Sequence, residues 1–177
     1  MSPECGRPRG RFAGIDDLDD EIRRARGQIR SAFAPVPRPE PDRLIDPARW
    51  PGEAKALRDL RRGGWRRWWD VPPDVLGRNQ EALVLLAPEA LRFYLPAFLT
   101  LALGRHGSCD RLAGLLLVVL TPGEKPGARR TFEARFGDLH APQRGAVASF
   151  LRLWRDRLGD GPDAGQARIA LERYWGP

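Results

Sequence analysis

The sequence predicts a mainly α-helical, single compact domain of about six or seven helices. Three observations predict it. Apolar residues recur at helical spacing over long segments, as Leu18, Ile22, Ala25, Ile29 and Phe33 do. Acids, prolines and glycines stand where helices begin and end. A length of 177 residues with 42% hydrophobic side chains suffices for one core and leaves little for a second domain. The helical domain is expected over residues 13–177, behind a disordered tail over residues 1–12.

The first helix is expected from Asp16 to Phe33. Asp16, Asp17, Asp19, Asp20 and Glu21 crowd its start, where unpaired N–H groups and the helix dipole favour negative charge. Residues 34–48 then form a proline-rich strap, because Pro35, Pro37, Pro39 and Pro41 remove backbone donors and bias their neighbours to extended conformations. A short helix is expected from Glu53 to Arg62, with Ala54, Leu57 and Leu60 inward, ended by Gly63-Gly64. Trp65, Trp68 and Trp69 follow at i, i+3 and i+4, as if on one helical face, before Pro72-Pro73 stops the chain.

Pro88 is well placed as the first residue of a helix that runs to Leu103 and ends at Gly104. Asp110 to Leu120 is a second apolar segment, nearly continuous from Leu112 onward, and reads as a buried helix by its length, although Val118-Val119 would also suit a strand. Residues 121–131 read as a loop, followed by a short helical turn around Phe132 and Phe136. Pro142 opens a long helix with Val147, Phe150, Leu151, Trp154 and Leu158 along one stripe, stopped by Gly159. In the last helix Asp163 and Gln166 have the spacing of a capping box, with Ala167, Ala170, Leu171 and Tyr174 inward.

The chain carries 30 basic and 23 acidic residues, a net charge of +7. Lys55 and Lys125 are its only lysines, so the basic residues are almost all arginine, and the excess is spread along the chain rather than gathered in a tail. Such a balance admits nucleic acid or an anionic surface as a partner. Cys5 and Cys109 give no disulfide framework. The opening MSPECGRPRGRF lacks the apolar stretch of a secretory signal, which predicts a cytoplasmic protein. The most apolar region, Ala82 to Leu103, is interrupted by Pro88, Glu89, Arg92 and Pro96, which argues against membrane insertion.

Trp69-Asp70-Val71-Pro72, the run Leu91-Arg92-Phe93-Tyr94-Leu95-Pro96-Ala97-Phe98, and Gln143 through Phe150-Leu151 together carry a resemblance. The chain resembles, over roughly residues 20–157, a family of small bacterial proteins known only as a domain of unknown function. That family is marked by a Tyr-Leu-Pro-Ala box and a Gln-headed helix ending in Phe-Leu. Its members commonly have Ser or Thr where His140 stands here, which alters the usual entry to the Gln-headed helix. The resemblance implies no catalytic residue, since the family has no assigned activity.

Inside the box, Pro96 removes the donor that would bond back to Arg92, so a kink between Arg92 and Pro96 is expected. A bend of this kind can shape a pocket in which Arg92 or Tyr94 faces a ligand; the simpler expectation is that it fits the helix around its neighbours, with Tyr94 in the core.

The most suggestive cluster lies between residues 49 and 67, where Arg49, Lys55, Arg58, Arg61, Arg62, Arg66 and Arg67 outnumber Glu53 and Asp59. Trp50, Trp65, Trp68 and Trp69 are interleaved with or adjoin them. Guanidinium groups pair with phosphates and exposed indoles stack on bases, so a nucleic-acid contact is one reading. Tryptophans in the core with arginines reaching outward is the other, and it leaves an arginine surface for an acidic protein.

Other chemistry has little to stand on. His106 and Cys109 form an H-x-x-C pair, short of the four ligands of structural zinc, and the acids at 16–21 lack the spacing of a calcium loop. Ser31, Ser108 and Ser149 sit in no nucleophile elbow, there is no phosphate-binding glycine motif, and His140 before Pro142 reads as a helix entry. No catalytic residue, metal or cofactor is therefore assigned. The sequence points to a non-enzymatic protein-interaction module, an immunity-type or accessory protein that binds another protein through Arg58, Arg61, Arg62, Trp65, Arg66 and Arg67. The alternatives are nucleic-acid binding by the same residues, or an enzyme whose site gathers Arg92 and Tyr94 with His106 or His140.

Overall fold

A computed structural model describes residues 13–45, 57–104, 111–159 and 161–176. Among them are nine α-helices and no strand. The helices are α1 (Ala13–Phe33), α2 (Arg58–Arg62), α3 (Pro73–Arg78), α4 (Ala82–Leu85), α5 (Pro88–Gly104), α6 (Arg111–Val119), α7 (Pro126–Phe136), α8 (Ala141–Leu153) and α9 (Gly161–Ala170). Wide π-type turns, Trp154–Leu158 and Leu171–Trp175, extend α8 and α9. The expected tail over residues 1–12 and the end of the strap, residues 46–48, lie outside the described residues.

The middle of the fold is α5, whose buried residues include Phe93, Tyr94, Leu95, Pro96 and Phe98. Its apolar side chains surround the helix rather than striping one face, the pattern of a helix enclosed on all sides. Helices α1, α3, α6 and α7 pack around it, and α8 lies against both α1 and α9. Pro96 does not interrupt α5, which continues past it to Gly104.

The apolar stripe of α1 meets the core as its spacing requires, with Ile22, Ala25, Ile29 and Phe33 buried. Its acidic start has a tertiary partner in addition to the helix dipole. Arg157, on the turn after α8, reaches Asp17 at 3.2 Å and Glu21 at 2.5 Å. The described part of the strap is tied at two points: Val36 N–H donates to Phe33 at 3.2 Å, and Leu44 accepts from Ala87 N–H at 2.9 Å, beside an isolated bridge between Ile45 and Leu86.

Several elements differ from their sequence reading. Residues 111–119 are helix, which settles the ambiguity of Val118-Val119. Pro73 opens α3 instead of stopping the chain, because a proline at the first helical position gives up only a donor that has no partner there anyway. For the same reason Pro126 opens an eleven-residue α7 where a loop and a short turn were expected. With α3 and α4 added, the described residues hold nine helices where about six or seven were expected. The capping box at Asp163 is absent, since α9 already begins at Gly161. Gln166 instead donates across to Thr121 Oγ1 at 2.8 Å, fastening α9 to the end of α6. At α8, by contrast, the side chain of the buried Gln143 accepts from His140 N–H at 3.0 Å, so His140 is a helix entry.

Three buried ring tips share one task. Trp68 Nε1 donates to Phe33 O at 3.2 Å, Tyr94 Oη to Leu60 O at 3.2 Å, and Trp175 Nε1 to Leu120 O at 2.6 Å. Each satisfies a carbonyl at the C-terminal end of a helix, where no intrahelical donor remains. An apolar ring with one polar tip can therefore fill the core and close a helix end at once.

Candidate functional site

The arginine segment is built from short, separately anchored pieces. Leu57 and Leu60 are buried and hold α2 to the core, which leaves Arg58 and Arg62 in solvent and Arg61 partly covered, its Nε buried. Tyr94 holds the Leu60 carbonyl, and Arg38 of the strap donates to the carbonyl of Gly63. These two bonds fix the C-terminal end of α2, the point from which the following arginines project. Burial pushes the Tyr94 hydroxyl up to about 12, opposed by the positive charge of Arg38.

Beyond Gly63 the chain departs from the expected helix. Residues 63–65 are not helical, Arg67 has extended angles (φ −128°, ψ 145°), and only Trp68–Asp70 make a tight 3-10 turn. The three tryptophans therefore do not share a helical face. Gly63-Gly64 disfavours helix at the entry, and Pro72 biases Val71 to the extended backbone it adopts (φ −70°, ψ 121°). Trp68 is buried at 3% exposure, while Trp65 and Trp69 are partly covered. The Trp65 ring folds onto Gly63 so closely that a Cβ there would lie 1.9 Å from a ring carbon.

Charge and rings are not segregated either. The guanidinium of Arg30, from α1, lies 4.7 Å from the centre of the Trp69 ring, and that of Arg67 lies 5.6 Å from it. Both distances fall within cation–π range. Arg26, one turn earlier on α1, donates to Thr100 O at 3.2 Å and joins Trp69 in lining a groove against α5. Thus Arg26, Arg30 and Trp69 belong to the same surface as Arg67. Among the described residues Arg58, Arg61, Arg62, Arg66 and Arg67 have no ion pair. Arg49, Trp50 and Lys55 lie outside those residues.

Arg92 and Tyr94 face different neighbours. Tyr94 is fully buried, with its ring edge-on to Phe93 at 5.0 Å. Arg92 is partly exposed and pairs with Asp138 at 3.3 Å. His106 lies outside the described residues, and His140 caps α8. No helix among the described residues is long and apolar enough to cross a membrane.

Arg26, Arg30 and Arg38 were not legible as site residues. On α1 the first two occupy the solvent side of an amphipathic stripe, and Arg38 sits among prolines. Only the folding of α1 and the strap against residues 60–69 brings them in.

The fold and this surface define an α-helical domain with an unpaired arginine face set beside partly covered tryptophans. The chain belongs to the DUF6714 family of unknown function, whose model matches residues 20–177. No curated protein and no solved structure matches it.

Proposed function

We propose that this protein is a non-enzymatic interaction module of the cytoplasm, an accessory or immunity-type protein that binds an acidic protein partner through Arg58, Arg61, Arg62, Trp65, Arg66 and Arg67. One observation carries the reading: five arginines within ten residues of sequence all lack ion pairs among the described residues, whereas Arg111, Arg129, Arg168 and Arg173 each hold a carboxylate. Unpaired guanidiniums keep a field that extends about 8 Å at physiological salt, and they are suited to bidentate contact with carboxylates. Trp69 already carries two guanidiniums near its ring, which competes with base stacking and favours protein over nucleic acid.

The test is affinity capture from the native host with the full chain and with an Arg62→Glu/Arg66→Glu/Arg67→Glu variant. A partner held by the natural chain and released by the variant supports the reading. Identical captures by both would sink it. Oligonucleotide titration at rising salt separates the alternative, because neutralised phosphates impose a steep loss of affinity with salt.

A further inference from the structure

Next to the arginine face, α1, α3, α5 and the Trp68–Val71 turn enclose a groove of about 360 Å³. Its walls are apolar: Trp68, Trp69, Val71, Leu76, Ala97 and Leu101. That volume lies at the small end of ligand pockets, which run from roughly 300 to 1,000 Å³, and it suits one large side chain better than an extended ligand. Its rim is cationic. Arg26 lines one end, and Arg30 and Arg67 lie over the Trp69 wall.

We infer that this groove is the anchor pocket of the interface, taking one apolar side chain from an acidic segment of the partner while the rim arginines hold the flanking carboxylates. This deepens the function proposed above and rests on it. Charge complementarity selects the occupant. Residues 1–12 of this chain carry Arg7, Arg9 and Arg11 against Glu4, so they share the sign of the rim. The densest acidic run a second copy offers is the start of α1, where Asp17, Asp20 and Glu21 are already paired with Arg157 and Arg23 and only Asp19 of the described carboxylates there is not. An apolar side chain set among Asp or Glu residues of another protein meets both walls and rim.

The experiment is selection of a displayed library of random dodecapeptides on the full chain. Enriched peptides are expected to combine several Asp or Glu residues with one Trp, Phe or Leu, and changing that residue to Ala should weaken binding about tenfold or more. Ala97→Phe, which fills the groove, should do the same. Thr100→Trp, at the partly exposed lip, is the second arm should Ala97→Phe fail to melt cooperatively. If acidic peptides bind without an apolar residue, or apolar-bearing ones bind a folded Thr100→Trp variant unchanged, the groove is not the anchor while the arginine reading stands. If no acidic sequence is enriched, the arginine reading fails and takes the groove with it. Concentration-dependent dimerisation abolished by Thr100→Trp would overturn the assignment in favour of a second copy.

Discussion

At the α7–α9 end, Phe132, Phe136, Tyr174 and Trp175 interlock with ring centres 4.7–6.1 Å apart. Four of the arginines around them have partners there: Arg129 holds Glu133, Arg168 holds Glu172, Arg173 holds Glu124, and Arg144 lies 4.3 Å over Tyr174. Between residues 58 and 69 the same two residue types are arranged differently. Trp65 and Trp69 stay partly uncovered, and five arginines have no carboxylate among the described residues. A count of arginines treats these regions alike, yet their fields differ. A paired arginine presents a dipole that fades quickly, whereas a row of unpaired ones presents net charge to anything approaching. The net charge of +7 therefore does not describe a uniformly basic molecule.

The sharpest way to break that comparison is to remove one ring from each region. Trp175→Ala deletes a buried ring and orphans the Leu120 carbonyl, so it should cost about 3–5 kcal/mol of stability. Trp65→Ala, from a partly covered position, should cost roughly half of that or less. Denaturant unfolding of both variants measures the contrast; equal losses would mean that Trp65 is as much a part of the core as Trp175. Reversing Arg62, Arg66 and Arg67 to Glu should have the opposite profile. Stability should change by about 0.5 kcal/mol or less per site, and affinity for the captured partner should fall by about 2 kcal/mol or more, read by calorimetry.

How much of this was visible beforehand follows the same division. The stripes of α1 and α8 were legible because burial imposes a period on sequence, and Ile22, Ile29, Val147 and Phe150 all lie where that period places them. Helix α7 was hidden because Pro126 and Gly127 resemble loop residues until one knows that proline occupies the first helical position. The tryptophan segment misled for a physical reason: i, i+3, i+4 spacing marks a helix only where the flanking residues admit one, and Gly63-Gly64 and Pro72 do not. Arg26 and Arg30 join the surface through tertiary contact alone, and no local pattern in α1 distinguishes them from Arg23, which pairs within its own helix.

Tyr94 links the two levels and can be probed by pH. Its hydroxyl is raised from 10.0 to about 12, chiefly by burial, so in the folded protein the neutral form persists to higher pH than in the unfolded chain. Between these values the unfolded state has lost the proton and the native state has kept it, so stability falls as pH rises. The contribution is complete below about pH 10 and is lost through pH 12, an effect on the order of 2 kcal/mol. Tyr94→Phe should flatten the slope seen in denaturant melts between pH 10 and 12. It should also loosen Leu60 and so weaken partner binding at neutral pH, although Tyr94 itself touches no partner. An unchanged slope would mean that another group controls alkaline unfolding.

The smallest effect belongs to the paired arginines. Arg168 and Glu172 are separated by four residues, lie 2.8 Å apart, and both remain more than half exposed. Water already solvates both charges well, so closing the pair gains little Coulomb energy and restricts two long side chains. Arg168→Gln should therefore shift stability by about 0.5 kcal/mol or less. It removes the same charge as Arg66→Gln, which makes the two variants a matched pair. If the arginine face is the docking surface, Arg66→Gln weakens partner binding and Arg168→Gln leaves it unchanged, with both proteins melting alike. Equal weakening by the two would show that the partner responds to total charge rather than to the unpaired face, and the distinction between the two ends of the molecule would lose its functional meaning.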